Sequence, residues 1–247
     1  MIGVIDSGVG GLSVLKELRQ AMPQADFFYL GDTARNPYGT RPPEEIKKYS
    51  LQLGKWLLAQ EVTGLVVACN TITVQALDLL RHELPIPVIG MQTDVALLPA
   101  EKRVAVLATP ATIAKGTYQQ SLAERYPAVD VVTHACPGLA SAIEHYRREE
   151  IEQLLEECRS LLSECDAAIL GCTHYPLVLK DWQELAPACR FIDPAQATAK
   201  AARHALGEQS QGDGRTEYTF TQEGCAAMWV FRLFGPNATA RQVTIEE

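Results

Sequence analysis

Short apolar runs recur along the chain at 2–5, 27–30, 65–68, 87–89, 104–107, 129–132 and 167–170, only that at 129–132 holding a charged residue, Asp130. Between them, apolar residues return every three to four positions over 12–21, 43–60, 74–83, 112–126 and 149–164, the period of a helix with one buried face. Strands that are apolar without alternation are buried on both sides, which calls for a parallel sheet with helices on both of its faces. The pattern predicts an α/β fold.

The pattern also repeats. Val66-Val67-Ala68-Cys69-Asn70-Thr71 and Ile169-Leu170-Gly171-Cys172-Thr173-His174 share an apolar strand, a small residue, a cysteine and polar followers. The offset between the cysteines, 103 residues (69 to 172), also carries Asp6, after Val4-Ile5, onto Thr109, after Val106-Leu107-Ala108. Two matches at one offset predict two similar lobes, each a mostly parallel sheet flanked by helices, with the active site in the cleft between them. Ligands of open parallel sheets bind beyond the carboxyl ends of the strands, where all four of these residues fall. The first lobe is assigned to 1–93 plus 207–247 and the second to 94–206. The crossover is placed near Gln92-Thr93-Asp94, and a turn-rich link at 209–214 brings the tail back.

Cys69 and Cys172 carry the candidate chemistry. A free cysteine is ordinarily a small core residue, and Cys136, Cys158, Cys165, Cys189 and Cys225 are read that way. The two at strand ends each precede an expected helix start, where a helix amino terminus favours a thiolate. Two thiols facing one Cα from opposite sides can take a proton from one face and deliver one to the other, which inverts the stereocentre. A thiol of pKa about 8.5 serves as base or acid near neutrality after a modest shift.

Asp6 and Ser7 open the turn Asp6-Ser7-Gly8-Val9-Gly10-Gly11, whose glycines allow close approach to backbone N–H groups. Asp6 either caps the following helix or handles the proton of Cys69. A dinucleotide site competes for this turn, with Asp32 as its ribose ligand, but Ser13 stands where the third glycine belongs. His174 is placed to pair with a Cys172 thiolate. Cys172-x-His174 is also half a zinc site, with no second half at ligand spacing. Tyr38 and Gly39 lie in a turn that would face the cleft, and Thr109 and Thr112 flank a helix start as caps or carboxylate donors. His82, His134, His145 and His204 show no partner in the sequence.

Composition narrows the classes. A chain of 247 residues, 47% apolar and 21% charged, suits one large or two modest folded domains. A net charge of −8 argues against a nucleic-acid partner. Seven cysteines with no leader-like segment ahead of the first strand predict reduced thiols in a cytoplasmic protein. No apolar run nears the roughly 18 residues of a membrane span.

Four strings, in order over nearly the whole chain, resemble the aspartate and glutamate racemase family, and its glutamate racemases in particular. They are Gly3-Val4-Ile5-Asp6-Ser7-Gly8-Val9-Gly10-Gly11-Leu12; Gly31-Asp32-Thr33-Ala34-Arg35 with Pro37-Tyr38-Gly39-Thr40; Val67-Ala68-Cys69-Asn70-Thr71; and Leu170-Gly171-Cys172-Thr173-His174-Tyr175-Pro176-Leu177. The resemblance implies proton transfer at Cα by Cys69 and Cys172, supported by Asp6 and His174 respectively, with no cofactor and no metal. It implies that Asp6, Ser7, Tyr38, Gly39, Asn70, Thr71, Thr109, Thr112, Glu144, Thr173 and His174 hold the amino acid. It further implies a supply of D-glutamate to peptidoglycan, and a homodimer as the assembly to test. A racemase of another acidic amino acid such as aspartate, and a non-catalytic binding or regulatory relative, remain the alternatives. Ile72-Thr73-Val74 and Gln92-Thr93 depart from the family's usual residues at those places.

Overall fold

The computed structural model describes residues 1–93, 95–207 and 211–245. Asp94 of the expected crossover and Gln209 and Ser210 of the expected link lie outside the described residues.

Among the described residues, ten parallel strands make two sheets. The first takes β1 (Ile2–Asp6), β2 (Phe27–Gly31), β3 (Gly64–Val67) and β4 (Val88–Gly90). The second takes β5 (Arg103–Ala108), β6 (Asp130–Ala135), β7 (Ala167–Gly171) and β8 (Arg190–Ile192). The tail then adds β9 (Thr216–Phe220) and β10 (Ala240–Gln242) to the edge of the first sheet beside β2. The strand orders are β10-β9-β2-β1-β3-β4 and β6-β5-β7-β8. Without the two added strands the orders are the same, so the repeat read from the cysteines extends to whole sheets. The 103-residue offset carries Phe27, which opens β2, onto Asp130, which opens β6, and Gly64 of β3 onto Ala167 of β7.

β1, β2, β3 and β7 are buried along their whole length, as unbroken apolar runs between helical layers must be. The helices of the first half are α1 (Leu12–Ala21), α2 (Pro43–Ala59) and α3 (Asn70–Glu83). Those of the second are α4 (Pro110–Lys115), α5 (Thr117–Arg125), α6 (Leu139–Glu144), α7 (Arg148–Glu156), α8 (Arg159–Leu162), α9 (Leu179–Leu185) and α10 (Ala195–Leu206). α11 (Ala226–Phe234) lies in the tail. α10 follows the last strand of the second sheet but packs against α1, and Thr198 Oγ1 on α10 accepts from the Gln92 N–H at 3.0 Å.

Several expectations are corrected. The helix read over 112–126 is two, because Gly116 takes a left-handed φ of 74° that ends α4 and opens α5. The helix read over 149–164 breaks between α7 and α8 with neither Gly nor Pro at the break. α3 begins at Asn70, the helix start expected directly after Cys69, and so runs four residues ahead of the periodic apolar pattern at 74–83.

Candidate active site

The geometry of the site follows from two parallel registers. β1 pairs with β3 so that Ile5 stands opposite Val67, which puts Asp6, the last residue of β1, and Cys69, just past β3, at neighbouring strand ends. β5 pairs with β7 so that Ala108 stands opposite Gly171, which puts Thr109 and Cys172 beyond theirs. The two sets of ends meet. Ser7, Tyr38, Gly39, Cys69, Asn70, Thr71, Thr109, Cys172, Thr173 and His174 line one cavity, joined by Asn36, Pro37 and Ala140. Its volume is about 20 Å³, on a scale where roughly 10–15 Å³ holds one water. Asp6, Thr112 and Glu144 lie behind this lining, each buried.

On the first-lobe side, the Cys69 thiol donates to Ser7 Oγ at 3.8 Å. Burial, followed by the nearby Asp6 carboxylate, pushes the thiol well above the ordinary cysteine range, although the Ile72 N–H and the Ser7 hydroxyl pull it down. Desolvation thus opposes the thiolate that this helix start would favour. Asp6 is fully buried; its Oδ1 accepts from the Gly8 N–H at 2.8 Å and its Oδ2 from Thr173 Oγ1 at 3.0 Å. Burial raises its pKa to about 6, against the pull of His174 and the Gly8 N–H.

On the second-lobe side the support is different. No α-helix starts directly after Cys172; the chain makes a 3₁₀ turn, Tyr175–Val178, before α9. His174 stands beside the sulfur instead. Its Nδ1 lies 3.8 Å from Cys172 Sγ and its Nε2 lies 2.5 Å from Glu144 Oε2. Burial works to lower the His174 pKa, but the Cys172 sulfur and the Glu144 carboxylate outweigh it and hold it well above the ordinary histidine range. The same Glu144 oxygen, Oε2, also accepts from the Val9 N–H of the other lobe at 2.9 Å.

Polar contacts close the lobes on each other. Thr71 Oγ1 stands 2.9 Å from Thr109 Oγ1, which donates to Thr112 Oγ1 at 3.0 Å. Tyr118 donates to Asn70 Oδ1 at 2.6 Å, and Ser13 donates to the Thr173 carbonyl at 3.0 Å. Asn70 Nδ2 is buried without a partner among the described residues, a free donor on a side chain that lines the cavity. Tyr38 lines the cavity while its hydroxyl donates to the buried Asp32.

That same Asp32 disposes of the dinucleotide reading. It is fully buried and accepts from Tyr38, from Arg35 Nε at 2.6 Å and from Thr221 Oγ1 at 2.8 Å, which leaves it no ribose to bind. The space a phosphate would need over the glycine turn is filled by side chains. A Cβ on Gly8 would stand 2.4 Å from Glu144 Oε2, and one on Gly10 would stand 2.4 Å from His174 Nδ1. The glycines are required by a close approach of the opposite lobe.

Asn36 and Ala140 are the lining residues the sequence did not suggest. Asn36 carries a faint signal, an Asn-Pro step that favours turns, and its Nδ2 holds the Ser7 carbonyl at 3.0 Å. Ala140 carries none.

Two cysteines at the mirrored strand ends of a repeated α/β fold define a class. The chain belongs to the Asp/Glu/Hydantoin racemase family, whose family model matches residues 2–202. Within it, the relatives that resemble this chain are named glutamate racemases. That of Aquifex aeolicus (strain VF5) is 40% identical over 227 residues, 89% of this chain and 88% of the relative. That of Limosilactobacillus reuteri (strain DSM 20016) is 38% identical over 218 residues, 85% of this chain and 82% of the relative. Among solved structures, glutamate racemase isoform RacE1 from Bacillus anthracis matches with a TM-score of 0.87 at 31% identity, covering 99% of this chain and 97% of that one. The Francisella tularensis glutamate racemase solved in complex with D-glutamate matches with a TM-score of 0.85 at 30% identity, with the same coverage. The two-lobed α/β fold is theirs, and the chain is a racemase, an isomerase, by family.

Proposed function

We propose that this protein interconverts L- and D-glutamate by proton transfer at Cα between Cys69 and Cys172, without a cofactor. The observation that carries the reading is that Cys69 and Cys172, from separate lobes, line a single cavity. Their surroundings also differ in the sense the chemistry needs. Cys172 lies beside a positively charged imidazole, the partner a thiolate base requires. Cys69 is held as a thiol, ready to deliver its proton to the opposite face. In one direction the Cα proton passes to the Cys172 sulfur while the Cys69 proton passes to Cα; in the other the roles exchange. Asp6, with its pKa near 6, is suited to reset the Cys69 proton, and the Glu144–His174 pair to reset that of Cys172.

Asn70, Thr71, Thr109 and Thr173 surround the same cavity, with Asn70 Nδ2 free to donate to a carboxylate. The cavity is far smaller than an amino acid, so the substrate enters as the lobes part, and the threonine contacts across the cleft re-form around it. No helix among the described residues is long and apolar enough to cross a membrane. A cytoplasmic enzyme that makes D-glutamate for peptidoglycan, assembled as a homodimer, fits this reading. Incubation with L-glutamate in D₂O with no added cofactor tests it, following optical rotation and loss of the α-proton signal. Exchange with inversion supports it. Exchange with aspartate alone moves the substrate, and no exchange with either leaves only a binding protein.

A further inference from the structure

The second lobe holds another group of thiols, outside the cavity. Cys136 follows the end of β6, and Cys158 occupies the break between α7 and α8. Their sulfurs stand 4.0 Å apart, both buried. His134, two residues before Cys136 and so on the same side of the extended chain, brings a ring nitrogen to them. The three ligating atoms all lie within 4.8 Å of one another.

We propose that His134, Cys136 and Cys158 form a site for one thiophilic cation of zinc(II) chemistry, bound as Cys₂His with the fourth position taken from solvent. Two sulfurs each at about 2.3 Å from a tetrahedral zinc stand roughly 3.8 Å apart, so the observed pair needs to move by only a few tenths of an ångström. Soft thiolates with one imidazole are the donor set that selects such an ion. Binding releases the two thiol protons to solvent, and two thiolates around a dication leave the buried site neutral. The interruption of the α7–α8 helix, which no Gly or Pro explains, is what aims Cys158 at Cys136. His134 is half-buried and gives the ion a way in. The bound ion would tie the β6–α6 turn, which leads to Glu144, to the α7–α8 break.

Cobalt(II), whose thiolate complexes show a sulfur-to-metal charge-transfer band, is the probe. To keep it off the cavity thiols, it is titrated into the Cys69→Ser/Cys172→Ser protein. One equivalent per chain is expected to give the band, and zinc to abolish it by displacement. Cys158→Ala added to that protein is expected to remove the band, and His134→Ala to weaken cobalt binding at least tenfold. Absence of the band, its survival in Cys158→Ala, or an unchanged affinity in His134→Ala would each overturn the site and leave an ordinary thiol pair in the core. Should Cys158→Ala fail to fold, the half-exposed His134→Ala decides.

Discussion

His174 Nε2 lies 2.5 Å from Glu144 Oε2, with both side chains almost fully buried, so a carboxylate and an imidazole of the second lobe form one unit behind Cys172. Glu144→Gln keeps the shape and removes the charge that holds the His174 proton. A raised histidine pKa contributes stability below the ordinary value of 6.5 and loses it as pH rises through the folded value. In the variant, that loss moves to lower pH. A Gln amide cannot take up or share the imidazole proton, so kcat is expected to fall by at least roughly tenfold, within the range of a general acid–base contribution, with the basic limb of its pH profile displaced. A uniform fall with an unmoved profile would make Glu144 merely structural.

Asp6 gives the opposite kind of test, one in which activity and stability separate. Its folded pKa is about 6 against an ordinary 3.8, so its contribution to stability is present below about 3.8 and is lost as pH rises through about 6. Asp6→Asn has no such loss. Relative to the native protein, the variant should gain up to about 3 kcal/mol between pH 4 and pH 8, since one pKa unit is worth about 1.4 kcal/mol. Racemisation should fall at the same time, because the neighbour of Cys69 can no longer take a proton. Urea denaturation of both proteins at the two pH values measures the first effect.

Gly10→Ala should be disproportionately harmful to activity. The new methyl would sit 2.4 Å from His174 Nδ1 and 2.6 Å from Thr173 Oγ1. One of these side chains must shift, and a displacement of about 1 Å at a reacting group costs on the order of 100-fold in rate. The lobes should nevertheless fold, which a far-UV spectrum and a single unfolding transition would confirm.

Thr109 does two jobs. Its side chain caps α4 by accepting from the Thr112 N–H, and it meets Thr71 across the cleft. Thr109→Ala is expected to cost about 1 kcal/mol from the cap, lowering Tm by roughly 2–4 °C in a protein of this size. It should also raise KM more than it lowers kcat, because the contact serves closure. A Tm change without a KM change would confine Thr109 to its cap.

How much of this was readable in advance differs between the two lobes and their tail. The central strands were legible because burial on both faces leaves an unbroken apolar run, and the 103-residue echo was legible because it preserves strand ends. β9 escaped notice for a physical reason: Thr216-Glu217-Tyr218-Thr219-Phe220 mixes polar residues into a strand near the sheet edge, where one end stays half-exposed. β8 and β10, three residues each at sheet edges, have no run to detect. That Cys69 and Cys172 stand at corresponding strand ends was legible from position alone. The burial around Cys69 and the pairing of Glu144 with His174 were not, because they depend on how the lobes close on each other. Ile72, a departure from the family pattern, is accommodated because its backbone N–H rather than its side chain serves the Cys69 sulfur.

The claim that the sulfurs face one carbon from opposite sides is tested most directly by α-proton exchange in single-thiol variants. D- and L-glutamate are supplied separately in D₂O to Cys69→Ser and Cys172→Ser, and both deuterium uptake and configuration are read. A lone remaining thiol can remove and return a proton only on its own face. Each variant is therefore expected to exchange one enantiomer with retention, the two variants choosing opposite enantiomers, with inversion nearly abolished in both. Native-like inversion in either variant, or exchange of the same enantiomer by both, would contradict the account.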